Sequence, residues 1–552
     1  MNENVKIFAL GGMDENGKSL YVVDYNSSLY IFDAGLRYPE ESLLGVDVIL
    51  PGFQYLISHK DRIRGFFLTH GHDENMGALP FILEELGEMD VYGTNFTLLS
   101  LYQTADRFEK DIKKARFHII GGNETFTVNG MTIHSFSVTH SVPNACGYAI
   151  ETDNGMIVYP GDFILDYSQK PPYDTSLPRI MELAKKPTLA LLAESYNSTY
   201  RGFVTPNNHL SLSLNHIIDD VKGRIFVSVY GQTIYQIQEI IECARANRRK
   251  IFLYTKQVRE TIGLINGEIE EFNVPSNLLT SNIFEQNCIV IVSELGNKVF
   301  EKLEEIAVAN DTDKSLKINA DDAFVIASRA HAGTEVSFAK ILDKLYKTNA
   351  QIYNVSKDFV SMHAGSEDLK TMISIFKPKY YIPVRGYYNK LVENAKLALE
   401  LGYNHSNILV YDNGMVASFE NGNLVRTMES IPADEIMVDG IGIGDVGNVV
   451  INDRRKLKQD GVMIIGVSFS MSTRKIVAGP DIQMRGFILH RSAGPFLDKV
   501  SKCFADTVYQ FVQKPGLVDF NELRMLCKER VQALVKNEID KDPMILPVII
   551  SV

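Results

Sequence analysis

Short apolar runs separated by glycine-rich turns fill roughly the first 165 residues. The runs VKIFALGG, SLYVVDY, SLYIFDAG, RIRGFFLTH, MTIHSFSVTH and MIVYPGD predict strands. A helix is expected over about Ala78–Leu86, after a histidine-rich turn, and a second over about Phe96–Ala115. Many strands with interspersed helices predict a layered α/β or αββα arrangement. From about Asn208 the texture changes. Helical periodicity in LSLSLNHIIDDV and TIYQIQEIIECARANRR alternates with the apolar runs GRIFVSVY, KIFLYT, CIVIVS and AFVIAS. That βαβ rhythm predicts a smaller parallel-sheet domain over about 206–355.

Strand and helix signals resume at QIYNV, LKTMISIF, KYYIPV and YNKLVENAKLALELG. A last module opens near residue 450, with helices near Gly494–Val512 and Asn521–Lys536 and a terminal strand MILPVIISV. The charged stretch DRRKLKQD is the expected linker before it. No internal repeat or low-complexity tract interrupts these segments.

Composition narrows the class. With 552 residues, 45% apolar and 22% charged, the chain is an ordinary multi-domain globular protein. Lys and Arg number 56 against 68 Asp and Glu, a net charge of −12. A protein that coats nucleic acid is more often basic, so any nucleic acid must run through a local groove. Five scattered cysteines without a CxxC pair argue against a disulfide framework or thiolate zinc module. The N-terminus lacks a basic-then-apolar leader and no run approaches the ~20 apolar residues that span a bilayer. A cytoplasmic protein without membrane contact is expected.

The candidate chemistry starts at the turn His70-Gly71-His72-Asp73-Glu74-Asn75. Imidazoles one residue apart in a turn can converge on a cation, although HxH alone is a weak signal. Asp33 in YIFDAG, His140 in VTHSVPN and Asp162 in YPGDF also follow strands, where a sheet presents functional groups to one edge. This layout resembles the metallo-β-lactamase fold, whose hydrolases carry HxHxDH after one strand and His and Asp after later ones. GGMDENGKSLYVVDY, GVDVILPGFQYLISHKDRIRGFFLTHGH, GDFILD, FKPKYYIPVRG, DGIGIGDVGN and AGPDIQMRGFI, in that order, resemble the ribonuclease J family over essentially the whole chain.

The resemblance implies an α/β fold: a metallo-β-lactamase αββα sandwich, an inserted β-CASP α/β domain and a small α+β C-terminal domain. The sandwich would occupy 1–205 and 356–447, the insert 206–355, a linker 448–462 and the C-terminal assembly domain 463–552. It implies RNA cleavage, chiefly from a 5′ end, with two metal ions. His70, His72, His140 and Asp162 would hold one metal.

The second-metal positions depart from the family pattern. Glu74 replaces Asp, Asn75 replaces His, and Arg385 in PVRG replaces the His of PVHG. An amide is a poor substitute for imidazole on a transition metal, and arginine cannot ligate. Arg385 is expected to fill the second-metal volume and pair with Glu74 or Asp162. Glu74 would orient the attacking water, and Glu194 in AESYN would support the cleft. The substrate loop is altered too. Only Gly333 survives from the glycine-rich loop, and HVSGH reads Phe359-Val360-Ser361-Met362-His363. Ser361 and His363 are kept for phosphate contact or proton transfer, with an ordinary hydrogen-bonded role open for His363. Met362 in place of glycine is expected to crowd the phosphate. The basic clusters ANRRK and DRRKLK are expected to be solvated helix faces or linkers rather than RNA contacts, and His209, His216 and His331 core or surface residues.

Two functions follow from the resemblance. One is a competent metal-dependent 5′-to-3′ exoribonuclease, with endoribonuclease activity, in rRNA maturation and mRNA turnover. The favoured one is a protein of the same type with a degraded second site, at most one zinc or manganese ion, and weak or absent activity. It would bind RNA and act with an active ribonuclease J paralogue, as homodimer or hetero-oligomer through the C-terminal domain. A small-molecule β-lactamase-like hydrolase is disfavoured by the inserted and C-terminal domains.

Overall fold

The computed structural model describes the chain apart from residues 1–3, 40–42, 44, 270–271, 273, 309–315, 331–333, 358, 426–427, 441, 444–447, 487–493 and 514–517. Gly333 and His331 therefore lie outside the described residues. The chain divides into two compact units, residues 1–38 with 48–436, and residues 39–47 with 437–552.

The first unit holds the sandwich. An eight-stranded sheet runs, in spatial order, through Asn423–Val425, Val416–Glu420, Asn4–Gly11, Leu20–Tyr25, Ser28–Phe32, Ile63–Phe67, Asp90–Gly93 and Arg116–Ile119. A six-stranded sheet runs through Tyr380–Val384, Thr188–Glu194, Gly155–Tyr159, Cys146–Thr152, Met131–Ser137 and Thr125–Val128. Their facing side chains, including Tyr21, Phe32, Phe67, Tyr148, Ile157 and Ile382, form one apolar core. Helices Ser366–Phe376 and Tyr388–Glu400 cover the outer face of the second sheet with Leu369, Ile373 and Leu397. The result is the αββα order expected from alternating strands and amphipathic helices.

The insert is a parallel five-stranded sheet in the order Lys250–Leu253, Cys288–Glu294, Ile225–Tyr230, Ala323–Ile326 and Gln351–Asn354. Helices cover both faces, which is why CIVIVS reads as an unbroken apolar run. In the second unit, strands Lys475–Arg485, Val462–Ser470 and Met544–Ser551 bury Met463, Ile465 and Ile549 against helices Gly494–Val512 and Phe520–Ile539.

Two expectations need correction. The helix predicted to Ala115 spans Asn95–Arg107, because Glu109 turns left-handed at φ 53° and ends it. The stretch DRRKLKQD is a helix, within Asn448–Asp460, rather than an irregular connection. Its Arg, Lys, Leu and Gln residues are good helix formers, and Ile451 gives it a buried anchor.

Candidate metal centre

The centre is assembled where strands end. The parallel strands Gly155–Tyr159, Thr188–Glu194 and Tyr380–Val384 bring Asp162, Glu194 and Arg385 to one edge of the second sheet. His70 and His72 follow strand Ile63–Phe67 of the first sheet, and His140 follows Met131–Ser137. Two glycines let these loops close. A Cβ on Gly35 would lie 1.6 Å from the Glu74 carbonyl oxygen, so the DAG turn can pack against the histidine turn only as glycine. Gly161 adopts φ +69° against Thr69, which aims Asp162 inward.

His70, His72 and His140 are buried, with one ring nitrogen of each within 4.8 Å of the others. Their outer contacts set the tautomers. His140 Nδ1 donates to the Met362 carbonyl at 2.6 Å, and His72 Nε2 to the Gln232 carbonyl at 3.1 Å. The Thr69 hydroxyl gives its proton to the Asp33 carboxylate at 2.9–3.0 Å, so at 2.9 Å it accepts from His70 Nδ1. Each ring is thereby left with a bare lone pair facing inward. His72 Nδ1 lies 3.1 Å from His70 Nε2 and 3.2 Å from His140 Nε2. Burial holds His70 and His140 well below the ordinary histidine range and pushes His72 down to about 4, so protonation does not relieve this crowding. Converging lone pairs on neutral, pre-oriented imidazoles fit one divalent cation.

Asp162 groups with His140 and His363 in a second donor cluster that shares His140 with the first. Its Oδ2 is 3.4 Å from His70 Nε2, and its buried Oδ1 has no hydrogen-bond partner among the described residues. Oδ2 also forms an ion pair with Arg385 Nη1, which donates at 2.6 Å to Asn75 Oδ1. Burial pushes the Asp162 carboxyl up and Arg385 opposes that shift. Asn75 in turn donates to Asp33 Oδ2 at 2.8 Å. The expected second-metal positions thus carry an amide and a permanent cation that satisfy each other. Arg385 pairs with Asp162 and not with Glu74, and these residues do not fit a second ion. Glu74 stays outside the donor clusters, and its carboxylate makes no hydrogen bond among the described residues.

On the other side, His363 Nδ1 donates to Glu194 Oε2 at 2.7 Å, leaving Nε2 free to accept. Glu194 also takes the amides of Phe163 and Ala364, which locks the loops of Asp162 and His363 together. Burial pushes Glu194 up to about 7 and His363 down to about 3. Asn197 donates to Ser361 Oγ at 3.2 Å and to the carbonyls of Ser361 and His363 at 3.0 Å. Met362 was expected to crowd a phosphate. Its side chain is buried in an apolar cluster with Ile164, Tyr173, Val204 and Tyr235, while its carbonyl orients His140. Phe359 packs on the core of the insert.

Sequence reasoning missed the Asp33–Thr69 relay, although Asp33 itself stood out, because a hydroxyl next to a ligand has no spacing signal. It also placed Arg249 on a surface. Arg249 is buried and donates to the Gly223 and Val221 carbonyls near the end of helix Leu210–Asp220.

Among the described residues, no helix is long and apolar enough to cross a membrane. Comparison with known proteins addresses the family. Residues 222–345 match the ribonuclease J β-CASP domain, residues 346–408 the Zn-dependent metallo-hydrolase RNA specificity domain, and residues 449–552 the ribonuclease J C-terminal domain. Ribonuclease J 2 of Staphylococcus epidermidis is 32% identical over 99% of this chain and 98% of its own length. Ribonuclease J 2 of Staphylococcus aureus is 31% identical over the same shares. The crystal structure of an Enterococcus faecalis protein of unknown function shares the fold over 75% of this chain and all of its own, with TM-score 0.51 and 13% identity. With a donor set for a divalent metal at the sandwich edge and full-length relatives above 30% identity, the chain belongs to the ribonuclease J family.

Proposed function

We propose that this chain is an RNA-processing and decay protein with weak or absent intrinsic nuclease activity, built on a 5′-to-3′ exoribonuclease and endoribonuclease scaffold and acting with an active paralogue. The observation that carries this reading is Arg385, buried and paired with Asp162 where a second divalent ion would need a neutral or anionic ligand. A guanidinium stays protonated at every working pH and repels a dication. One ion, zinc or manganese, would be held by His70, His72, His140 and Asp162, where it would polarise a phosphoryl oxygen and acidify a water. Among the chain's own residues, His363 is neutral with its Nδ1 proton committed to Glu194, so its Nε2 can accept a hydrogen bond from substrate or water and not donate one. Ser361 and His363 offer phosphate contacts beside it. Glu74, whose carboxylate makes no hydrogen bond among the described residues, would orient a water.

Dependence on a partner rests on two features. The net charge of −12 disfavours tight RNA binding by the isolated chain. The outer face of the C-terminal sheet exposes Leu546, Val548 and Ile550 at 42, 41 and 54%. Such a face suits a homodimer or a hetero-oligomer with the active paralogue.

A second reading, a competent metal-dependent exoribonuclease, is favoured by the intact first donor set alone. Two measurements separate them. Metal analysis of the purified chain should give at most one ion, and two at full occupancy would refute the proposal. On 5′-monophosphorylated RNA with manganese, magnesium or zinc, the unmodified chain should be slow and the triple variant Glu74→Asp, Asn75→His, Arg385→His faster. A wild-type rate typical of a two-metal nuclease would establish the second reading.

A further inference from the structure

Apart from the histidine centre, His209 sits between two carboxylates. Its Nε2 lies 3.3 Å from Asp166 Oδ2 and its Nδ1 3.2 Å from Glu239 Oε1. The side chains of Asp166 and Glu239 are only 1 and 7% exposed, and that of His209 15%. With a carboxylate at each ring nitrogen, the ring is doubly protonated. The placement is costly in itself, because His209 immediately precedes helix Leu210–Asp220, whose N-terminus disfavours a cation. Glu239 offsets this by capping that helix, accepting Leu210 N at 2.9 Å and Ser211 Oγ at 2.7 Å.

The groups facing the ring come from every neighbouring element. The loop after Asp162 contributes Asp166 and Gln169, which donates to Asp166 Oδ2 at 2.9 Å and to Tyr235 OH at 3.0 Å. Helix Ile234–Ala246 contributes Glu239 and Tyr235, whose hydroxyl is 2.9 Å from His209 Nδ1, with Glu242 further off. Helix Leu210–Asp220, which His209 precedes, contributes Ser211, a donor to Glu239.

The loop that begins with the metal-site residue Asp162 is therefore held at both ends. Glu194 and Asp368 of the sandwich take the amides of Phe163 and Leu165 at 2.9 Å each. At the far end, Asp166 is held by His209 at the start of the insert, and Ile164 packs beside Tyr235.

We propose that His209 is a positioning residue for the metal centre: its protonated ring fastens the Asp162 loop to the inserted domain, and its deprotonation frees that loop. The proposal rests on the metal-centre reading for the role of Asp162. Hydrogen bonds from Asp166 and Glu239 raise His209 from 6.5 to about 9. A folded-state value above the unfolded one means the fastening is complete below pH 6.5 and is lost as pH rises through 9.

Hydrogen exchange on the full-length, metal-free chain tests this, with rates corrected for intrinsic pH dependence. Wild-type exchange over residues 162–169 and 207–212 should rise about tenfold as pH passes through 9. His209→Gln should exchange fast already at neutral pH and show no step, and His209→Arg should stay protected at alkaline pH. A flat wild-type profile, or His209→Gln matching wild type at neutral pH, overturns the proposal. Cobalt(II) titration followed by visible absorption is the second arm, with His70→Ala as control. His209→Gln should weaken cobalt binding about tenfold; unchanged affinity with a loosened loop overturns the positioning role. Undiminished cobalt binding by His70→Ala instead overturns the metal-centre reading and leaves the exchange result intact.

Discussion

At Thr69 a single hydroxyl decides which lone pair of His70 faces the centre. It donates to Asp33 and accepts from His70 Nδ1, so the buried carboxylate acts on the metal site at one remove. Burial pushes Asp33 up to about 6, while bonds from Asn75, Thr69 and Tyr159 hold it down. Thr69→Val should lower metal affinity by about 10–100-fold with the far-ultraviolet spectrum unchanged, measured by competition with a chromophoric chelator. Unchanged affinity would show that the His70 tautomer is set some other way. Arg385→His alone should raise metal content above one ion per chain only if Asn75 releases Asp33, so the single variant is expected to remain at one and the triple variant to exceed it. These substituted positions were legible in the sequence, because HGHDEN and PVRG can be set beside the family pattern residue by residue. Their mutual satisfaction was not, because Asn75 and Arg385 are 310 residues apart and meet only in the folded chain.

At the scale of elements, close backbone approach and buried charge set the tolerances. Gly35→Ala would place a methyl 1.6 Å from the Glu74 carbonyl, so the DAG turn and the histidine turn must separate. The variant should lose cobalt binding and melt several degrees lower; a wild-type melting curve with intact binding would disprove the close packing. In the insert, Arg224 is buried against Asp322, at 2.6 Å, and also donates to the carbonyl of Ile283. Asp322→Ala strands that guanidinium and should cost about 3–5 kcal/mol in urea unfolding of the insert. The insert's strands were readable because both faces of a parallel sheet are covered and its runs are continuously apolar. Helix ends were less readable. Glu109 ends its helix in a left-handed conformation that no proline or glycine announces, and a charged run read as a linker is helical because one buried isoleucine anchors it.

For the whole molecule, the proposed assembly rests on the acidic balance and on the exposed apolar face of the C-terminal sheet. Replacing Leu546 and Ile550 with Lys should shift sedimentation toward the monomer while leaving cobalt binding at the histidine centre intact; unchanged sedimentation would exclude this face as the contact. The sequence alone determined the layered architecture, the family and which strand ends carry the candidate ligands, because periodicity and short motifs are local properties of the chain. The tertiary structure alone decided where the substituted side chains went. Met362 turns into an apolar cluster, Arg385 finds Asp162, and His209 finds two carboxylates from different segments. The direction of a side chain and its buried partner depend on which distant strands and helices close over it, and neither is written in the spacing of neighbouring residues.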